Sequence, residues 1–298
     1  MRDAGAGRAR LSWGGDEFLF VEVDEEMSLG ANVTVMAMSA GLKERDLPGI
    51  IDICPANASM LVRFDPDALP FARLEEVVRE VEASSAGASR PLATRVVEVP
   101  VWYDDPFTAE VGARFREGYH QAPHQTDLEY AAELNGLDGP AEFIRRHHEQ
   151  PWIVSMVGFV AGLPFLYQLV ERDRQLVVPK YLSPRTDTPR LTVGHGGCFG
   201  AIYSVRGAGG YQMFGVVAPP IYDPEQRLPD FHESSVLFRP GDIVSFRPIG
   251  REEHEDIQRE VEAGSYRYRQ APVLFDPALA LADPAGSNEK IKEQLRDA

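Results

Sequence analysis

The stretch from Arg190 to Gly215 contains eight glycines, set among short apolar segments that otherwise have the composition of β-strands. Glycine is unfavourable inside a strand, because it loses the most backbone freedom on folding and offers no side chain to pack. This cost is offset where a bulge, a tight corner or a closely approaching ligand needs bare backbone. The glycines therefore indicate either sharp curvature of a sheet or a binding site.

The segment around these glycines, from Trp152 to Ile249, keeps the same pattern. Short apolar runs alternate with Gly and Pro, and long helical periodicity is absent. This pattern is typical of a β-barrel or a β-sandwich. Near its end, the sequence FRPGDIVSFRPI predicts a turn followed by a closing strand.

Residues 16–83 predict a small domain with the element order βαββα. The run EFLFVEV alternates apolar and polar residues, as a half-buried strand does, and Ser28 is placed to cap the helix that follows. GIIDICPA and SMLVRFDP are two further strands. The next helix, LPFARLEEVVREVEAS, has one apolar face, formed by Phe71, Leu74, Val77, Val78 and Val81. This order predicts a small antiparallel sheet with helices on one side.

A stretch rich in Ser, Ala, Gly and Pro, 84–94, predicts a linker between two domains. We therefore expect an α+β chain, with a small α+β domain over 1–90 and a β-barrel domain over 91–250. Helices such as DLEYAAELNGL and GPAEFIRRHH form an insertion into the second domain at about 106–148. Residues 251–298 predict a C-terminal helix and an extended tail, and its last dozen polar residues are expected to be disordered.

Charge and composition narrow the class of partner and the compartment. The 298 residues are 44% hydrophobic and carry a formal net charge of −16, which disfavours nucleic acid and anionic membranes as partners. No apolar run approaches the length that spans a bilayer, and no secretory signal is visible at the N-terminus. The two cysteines, Cys54 and Cys198, lie far apart in the sequence. We therefore expect a cytoplasmic protein with reduced thiols.

Several common chemical motifs are absent from the sequence. It has no GxxxxGK[ST] phosphate loop and no GxGxxG that opens a helix after a strand, so ATP and dinucleotide sites of these types are not expected. It has neither HExxH nor paired cysteines, so no metal site is expected. It also lacks the GxSxG turn of α/β-hydrolases and a biotinylated-lysine motif.

Three segments carry a resemblance to a known family. GIIDICPANASMLVRFDP is similar to its N-terminal signature, VGFVAGLPFLYQL to its GFxPGFPYL motif, and FRPGDIVSFRPI to its closing motif. Through them the chain resembles the carboxyltransferase half of urea carboxylase. It also resembles the wider family of allophanate hydrolase subunit 1, the B subunit of 5-oxoprolinase and the sporulation-kinase inhibitor of Bacillus. Ala161 and Leu163 replace a Pro and a Phe of the second motif.

Further segments favour the urea-carboxylase branch of this family. They are WYDDP, LEYAAELNGL, KYLSPRTDTP, EAGSYRYRQAPVLF and the glycine-rich stretch itself. The lactam-hydrolase branch would have GQTGIYP where this chain has Phe199–Ser204, and GRTP where it has Gly215–Ala218. Apolar residues replace polar ones at both places, so the substrate stays open and an inactive chain is an alternative.

The resemblance implies a cyclophilin-like β-barrel in the second domain and a companion subunit, or fused domain, of the same architecture, with the active site between the halves. It implies the first half of a biotin-dependent carboxyltransferase that acts on urea or a related small amide and is inactive alone. Biotin would arrive on a carrier domain of another chain, and ATP would be used by a partner such as biotin carboxylase. Two alternatives are the B subunit of an ATP-dependent 5-oxoprolinase- or allophanate-type amide hydrolase, and a non-catalytic, kinase-inhibitor-like binding module.

Carboxyl transfer to an amide nitrogen needs a base and groups that stabilise negative charge on oxygen. His195 is the candidate base, because histidine titrates near neutrality, and Arg185 or Lys180 is the candidate for holding the carboxylate. The tyrosines are candidates for orienting a small substrate, and backbone N–H groups of the glycine runs for contacting an oxyanion. The predicted substrate-binding residues are Lys180, Gly196, Gly197, Tyr203, Gly209, Gly210 and Tyr211.

Each of these residues also has a structural interpretation. The glycines could be corners of a tightly curved barrel, and His195 a satisfied core histidine. Arg185 could belong to an ion pair, and the tyrosines to the core or an interface. Sequence alone does not show whether these side chains converge in space.

Overall fold

The computed structural model describes residues 8–85 and 91–298, which divide into two compact units. Of these, the residues up to 92 and the segment 276–282 form the first unit, and the others form the second. In chain order the elements are β1 (Arg10–Gly14), β2 (Phe18–Glu22), α1 (Leu29–Glu44), β3 (Ile50–Pro55), β4 (Ser59–Phe64), α2 (Phe71–Ser85), β5 (Leu92–Tyr103), α3 (Pro106–Arg114), α4 (Asp127–Leu134), α5 (Pro140–His148), β6 (Trp152–Val157), β7 (Pro164–Gln168), β8 (Arg185–Thr188), β9 (Thr192–Gly196), β10 (Phe199–Ile202), β11 (Gly207–Gly209), β12 (Gln212–Val217), β13 (Ile243–Pro248), α6 (Arg251–Glu262), β14 (Gln270–Phe275), α7 (Pro277–Ala282) and α8 (Pro284–Arg296).

The first unit is a four-stranded antiparallel sheet, in the order β1-β2-β4-β3, with α1 packed against β3, β4 and α2. The Ser28 hydroxyl accepts a hydrogen bond from the Ala31 N–H, which confirms the predicted helix cap. Four of the five residues on the predicted face of α2 are buried, and Phe71 instead stacks edge-on against Phe64. The structure adds β1 to the predicted order βαββα. Four of its five residues are exposed, so its sequence lacks the alternation that marks a half-buried strand.

The second unit contains a closed seven-stranded barrel, which confirms the predicted α+β class with a barrel. Its strands follow the order β12-β9-β10-β7-β6-β13-β5, β12 pairs with β5 to close the ring, and β14 adds to the outside of β5. The pairing of β5 with β13 is parallel, from Val96 opposite Ile243 to Val101 opposite Pro248. The core of this unit includes fully buried Trp152 and Phe214.

The inserted helices α3, α4 and α5 lie between β5 and β6, and α3 and α4 both pack on β12. The Asp105 carboxylate caps α3 by accepting the N–H groups of Phe107 and Thr108. A reciprocal capping box between Thr126 and Glu129 begins α4. These caps fix the position of Asp127, the first residue of α4, beside strand β12.

The C-terminal segment contains a helix, α6, and an extended strand, β14, as predicted, but then continues as two further helices, α7 and α8. The last dozen residues are not disordered, because most of them belong to α8, which packs on β14 and buries Ile291 and Leu295. Residues 276–282, including α7, belong to the first unit. Of the predicted linker, 84–94, residues 86–90 lie outside the described residues. Across the described ranges, no helix combines the length and apolar character that crossing a membrane requires.

Candidate active site

A pocket of about 430 Å³ in the second unit gathers five of the predicted substrate-binding residues. They are Lys180, Tyr203, Gly209, Gly210 and Tyr211. The remaining lining residues are Phe159, Leu163, Phe165, Tyr181, Pro184, Ala201 and Ala208. These residues come from β7, β10, β11, the segment before β8 and the adjoining loops. Residues that are distant in the sequence therefore meet around one cavity. A pocket with largely apolar walls and a few polar groups is the common form of a small-molecule site.

The glycines of β9 make room for the tyrosine rings of this pocket. A Cβ on Gly196 would lie 2.5 Å from Cε1 of Tyr211 and 3.0 Å from Cγ of Lys180. A Cβ on Gly194 would lie 3.1 Å from Cβ of Tyr211. Strand residues two apart lie on one face, so both glycines form a bare surface on which the ring of Tyr211 lies. Gly196 thus supports the pocket from behind and does not line it.

Gly209 has the same relation to Tyr203. A Cβ on Gly209 would lie 2.5 Å from the Tyr203 hydroxyl oxygen. Burial raises the pKa of Tyr203 above its ordinary value, and burial also raises the pKa of Tyr211. Both phenols therefore stay protonated at neutral pH and can donate hydrogen bonds to a ligand.

Lys180 supplies a positive charge at the exposed edge of the pocket. Its Nζ lies 5.3 Å from the centroid of the Tyr211 ring, in a cation–π arrangement. No carboxylate of the described residues lies within ion-pair distance of this ammonium group. It is therefore free to pair with an anionic ligand.

The segment Gly158–Phe165 forms another wall of the pocket, which the site prediction missed. Phe159 has a φ of +69° and is 71% exposed, and Leu163 and Phe165 line the same cavity. A positive φ is rare for a large side chain, and such strain is concentrated at functional sites. These residues belong to the GFxPGFPYL-like motif, so the motif was the signal that could have identified them.

Arg185 lies behind the pocket wall and has no exposed surface. Its guanidinium stacks on the ring of Tyr181, 4.4 Å from the centroid. None of its three nitrogens has a hydrogen-bond partner of acceptable length and angle among the described residues, although the Tyr203 hydroxyl is close enough to stabilise the charge. Burial lowers the pKa of Arg185, but an arginine in a protein remains protonated. The predicted ion-pair alternative for Arg185 is thus not seen in the described residues.

A buried hydrogen-bond network holds the side of Arg185 that faces the inserted helices. The Tyr181 hydroxyl donates to Asp127, with 2.7 and 2.8 Å to the two carboxylate oxygens, and the Met213 N–H donates to the same carboxylate. His120 Nδ1 accepts the Ala122 N–H, so Nε2 donates to Gln212 Oε1 at 2.8 Å. Asp127 and Tyr181 were not predicted as site residues. Asp127 directly precedes the segment LEYAAELNGL, and Tyr181 lies in KYLSPRTDTP, two segments that favoured the urea-carboxylase branch.

His195 lies on the opposite face of β9 from Gly194 and Gly196. Its ring packs near Trp152 and Phe214 inside the barrel, with no exposed surface, and Nε2 donates to the Leu176 carbonyl at 2.9 Å. Burial lowers its pKa to about 4. The structure therefore does not bring His195 into the pocket, and its catalytic role stays a prediction.

Gly197 also lies outside the lining. It has a φ of +65°, and its N–H donates to the Val178 carbonyl at 2.7 Å. That N–H is therefore already used and is not available to an oxyanion. The positive φ accounts for a glycine here without any ligand.

A second pocket, of about 510 Å³, contains none of the predicted residues. Leu191, Val217 and His254 are among the residues that line it. The carboxylate of Asp223, also in its wall, already accepts backbone N–H groups of residues 225, 227 and 228. Among the residues that the structure describes, no three His, Cys, Asp or Glu side chains are grouped to hold a metal ion.

The second unit is thus a closed barrel with an inserted helical segment and a lateral pocket. The family described as carboxyltransferase domain, subdomain C and D, matches residues 9–231, and the chain belongs to this family. It is 30% identical over 258 residues to the B subunit of 5-oxoprolinase from Bacillus subtilis, covering 83% of this chain and 95% of that protein. It is 25% identical over 266 residues to urea amidolyase of Saccharomyces cerevisiae, covering 88% of this chain but 14% of that much longer protein.

The fold agrees with these relationships. The crystal structure of Kluyveromyces lactis urea amidolyase matches with a TM-score of 0.82 and 22% identity, over 97% of this chain and 18% of that one. The family membership predicted from the sequence motifs is confirmed, and the relatives are enzymes or enzyme subunits.

Proposed function

We propose that this chain is the first half of a biotin-dependent carboxyltransferase that acts on urea or a related amide nitrogen, paired with a second, similar subunit. The observation that carries the proposal is the convergence of Lys180, Tyr203 and Tyr211 in one aromatic pocket. Two positively charged side chains lie at this pocket, Lys180 at its edge and Arg185 behind its wall. Neither forms an ion pair with a carboxylate of the described residues. The urea-carboxylase-like segments around these residues support this branch of the family.

The chemistry of carboxyl transfer agrees with this arrangement. Carboxylated biotin, when bound, would supply an activated carboxyl group, and the flat rings of Tyr203, Tyr211 and Phe165 would hold its bicyclic ring system by apolar contact. The Lys180 ammonium group and the tyrosine hydroxyls would stabilise negative charge on the oxygens of a bound carboxyl group.

The pocket needs a proton acceptor from elsewhere. Its tyrosines have raised pKa values and stay protonated, and no histidine, carboxylate or thiol is among its lining residues. We assign proton removal to the companion subunit, which would complete the site and account for an expected lack of activity of this chain alone. If His195 is the base, as the sequence predicted, the barrel interior must open during turnover.

Partners follow from the same proposal. Biotin arrives on a carrier domain of another chain, and biotin carboxylase uses ATP to load it.

A second candidate function is that of the B subunit in an ATP-dependent 5-oxoprolinase. The 30% identity over nearly the whole length of the Bacillus subtilis protein favours it.

The two functions are distinguished by assay of the chain in complex with its companion subunit, biotin carboxylase and carrier. Our proposal predicts ADP release that depends on urea or another amide and on biotin. Release that depends on 5-oxoproline and persists without a biotinylated protein would establish the second function instead. The variant Lys180→Met should lose the amide-dependent rate, and the exposed Lys290→Met, on α8, is the matched control.

A further inference from the structure

The buried guanidinium group of Arg185 lacks hydrogen-bond acceptors within the described ranges. Its guanidinium is fully buried, and none of its three nitrogens has a partner of hydrogen-bond geometry in the described part of the chain. A cation–π contact with Tyr181 compensates only part of the cost of removing such a charge from water. A planar anion would satisfy the fork of N–H donors by two parallel hydrogen bonds.

Two tyrosines separate this guanidinium from the pocket, and they are held very differently. Tyr181 is fixed, because its hydroxyl donates to the buried carboxylate of Asp127 at 2.7 Å. The Tyr203 hydroxyl has no carboxylate partner among the described residues: it accepts a long hydrogen bond, 3.4 Å from the Tyr211 nitrogen, and faces the Arg185 guanidinium. On its other side the Tyr203 ring lies against the bare backbone of Gly209. Without such a carboxylate partner, Tyr203 is the more weakly held of the two tyrosines.

We propose that Tyr203 is a gate over a carboxylate-binding subsite formed by Arg185. When the Tyr203 ring turns, a small planar carboxylate in the pocket pairs with the Arg185 fork, while Asp127 and Tyr181 hold the guanidinium in place. The ligand class includes the carbamate that forms when an amide nitrogen is carboxylated. Only this last identification rests on the proposed function.

Chemical modification tests the gate directly. The full chain is treated with phenylglyoxal, which modifies accessible arginines, and the modified residues are located by mass spectrometry. Arg185 should react at least about ten-fold faster in Tyr203→Ala than in the wild type, and oxamate, a planar amide carboxylate, should protect it. Exposed Arg206 should react equally in both proteins. Equal rates at Arg185, or no protection by oxamate, would overturn the gate.

Calorimetric titration with oxamate tests the subsite without relying on the Tyr203 variant. Wild type should bind oxamate but not neutral acetamide, and Arg185→Met should weaken oxamate binding by at least about ten-fold. Arg206→Met is the matched control and should bind as the wild type does. Unchanged affinity in Arg185→Met, or no saturable binding to the wild type, would contradict the subsite. Both assays use the chain alone, so a failure of carboxyltransfer in the complex would not affect them.

Discussion

The ring of Tyr211 lies against the bare backbone of Gly196, with Cε1 only 2.5 Å from the point where a Cβ would stand. The aromatic wall of the pocket thus depends on the absence of a side chain on β9. Glycines of the cluster between residues 190 and 215 thus create space for tyrosine rings.

Gly196→Ala should therefore displace the Tyr211 ring and Lys180 and narrow the pocket. We expect a loss of about 1–3 kcal/mol of stability, because the added methyl group meets a packed ring, and a large loss of amide-dependent activity in the complex. Gly207→Ala is the control, since no heavy atom lies within 4 Å of a Cβ there and Gly207 does not line the pocket. Urea unfolding and the coupled ADP assay give the two readouts. If both variants behave alike, the close packing of Tyr211 on Gly196 is not what shapes the site.

Tyr181→Phe should destabilise the protein by about 1–3 kcal/mol, because the buried carboxylate of Asp127 would lose its hydroxyl donor. The residue beside it in the pocket wall offers a comparison. Tyr211→Phe removes a hydroxyl for which the described residues provide no hydrogen-bond partner, so its effect on stability should be small. Chemical denaturation of both variants measures the difference. Equal effects would show that the hydrogen bond between Tyr181 and Asp127 adds little.

The stability of the protein should fall as the pH is lowered from 6.5 toward 4, because burial lowers the pKa of both His147 and His195. The pKa of His195 is about 4 in the folded protein and 6.5 in the reference state, so the unfolded chain binds more protons between these values. The contribution of His195 to the free energy of unfolding is therefore complete above pH 6.5. It is lost as the pH falls toward 4, and it amounts to about 3 kcal/mol.

His195→Asn should reduce this slope, of which buried His147 keeps a part, and the exposed His124→Asn should leave it unchanged, as measured by urea unfolding at several pH values. The same variant tests the predicted catalytic role. Loss of turnover with unchanged stability would identify His195 as a catalytic residue. A reduced slope with retained turnover would identify it as a residue of the core.

The sequence allowed prediction of the elements whose signals are local. The cap at Ser28, the apolar face of α2 and the barrel class follow from spacing and composition over a few residues. The family motifs also pointed to the correct stretch for the pocket. Five of its lining residues were predicted, because the glycine cluster and its tyrosines lie close together in the chain.

The remaining features depend on which face a residue occupies and on pairing between distant segments. His195 lies between two glycines that support the pocket, yet strand alternation directs it into the barrel. The pair of Asp127 and Tyr181 joins residues 54 positions apart, and no short motif marks it. The return of 276–282 to the first unit is equally non-local. By contrast, the spacing of Ile291 and Leu295 was a local helical signal in the tail that composition alone obscured.

Amide-dependent ADP release by the purified complex decides whether this chain is half of a carboxyltransferase. The chain is co-expressed with the proteins encoded beside it, the purified complex is supplied with bicarbonate and ATP, and amide-dependent ADP release is measured with and without this chain. We predict release that requires urea or a related amide, a biotinylated carrier and this chain, and that is lost in Lys180→Met. The same rate without this chain, or release that depends on 5-oxoproline and not on biotin, would contradict the claim.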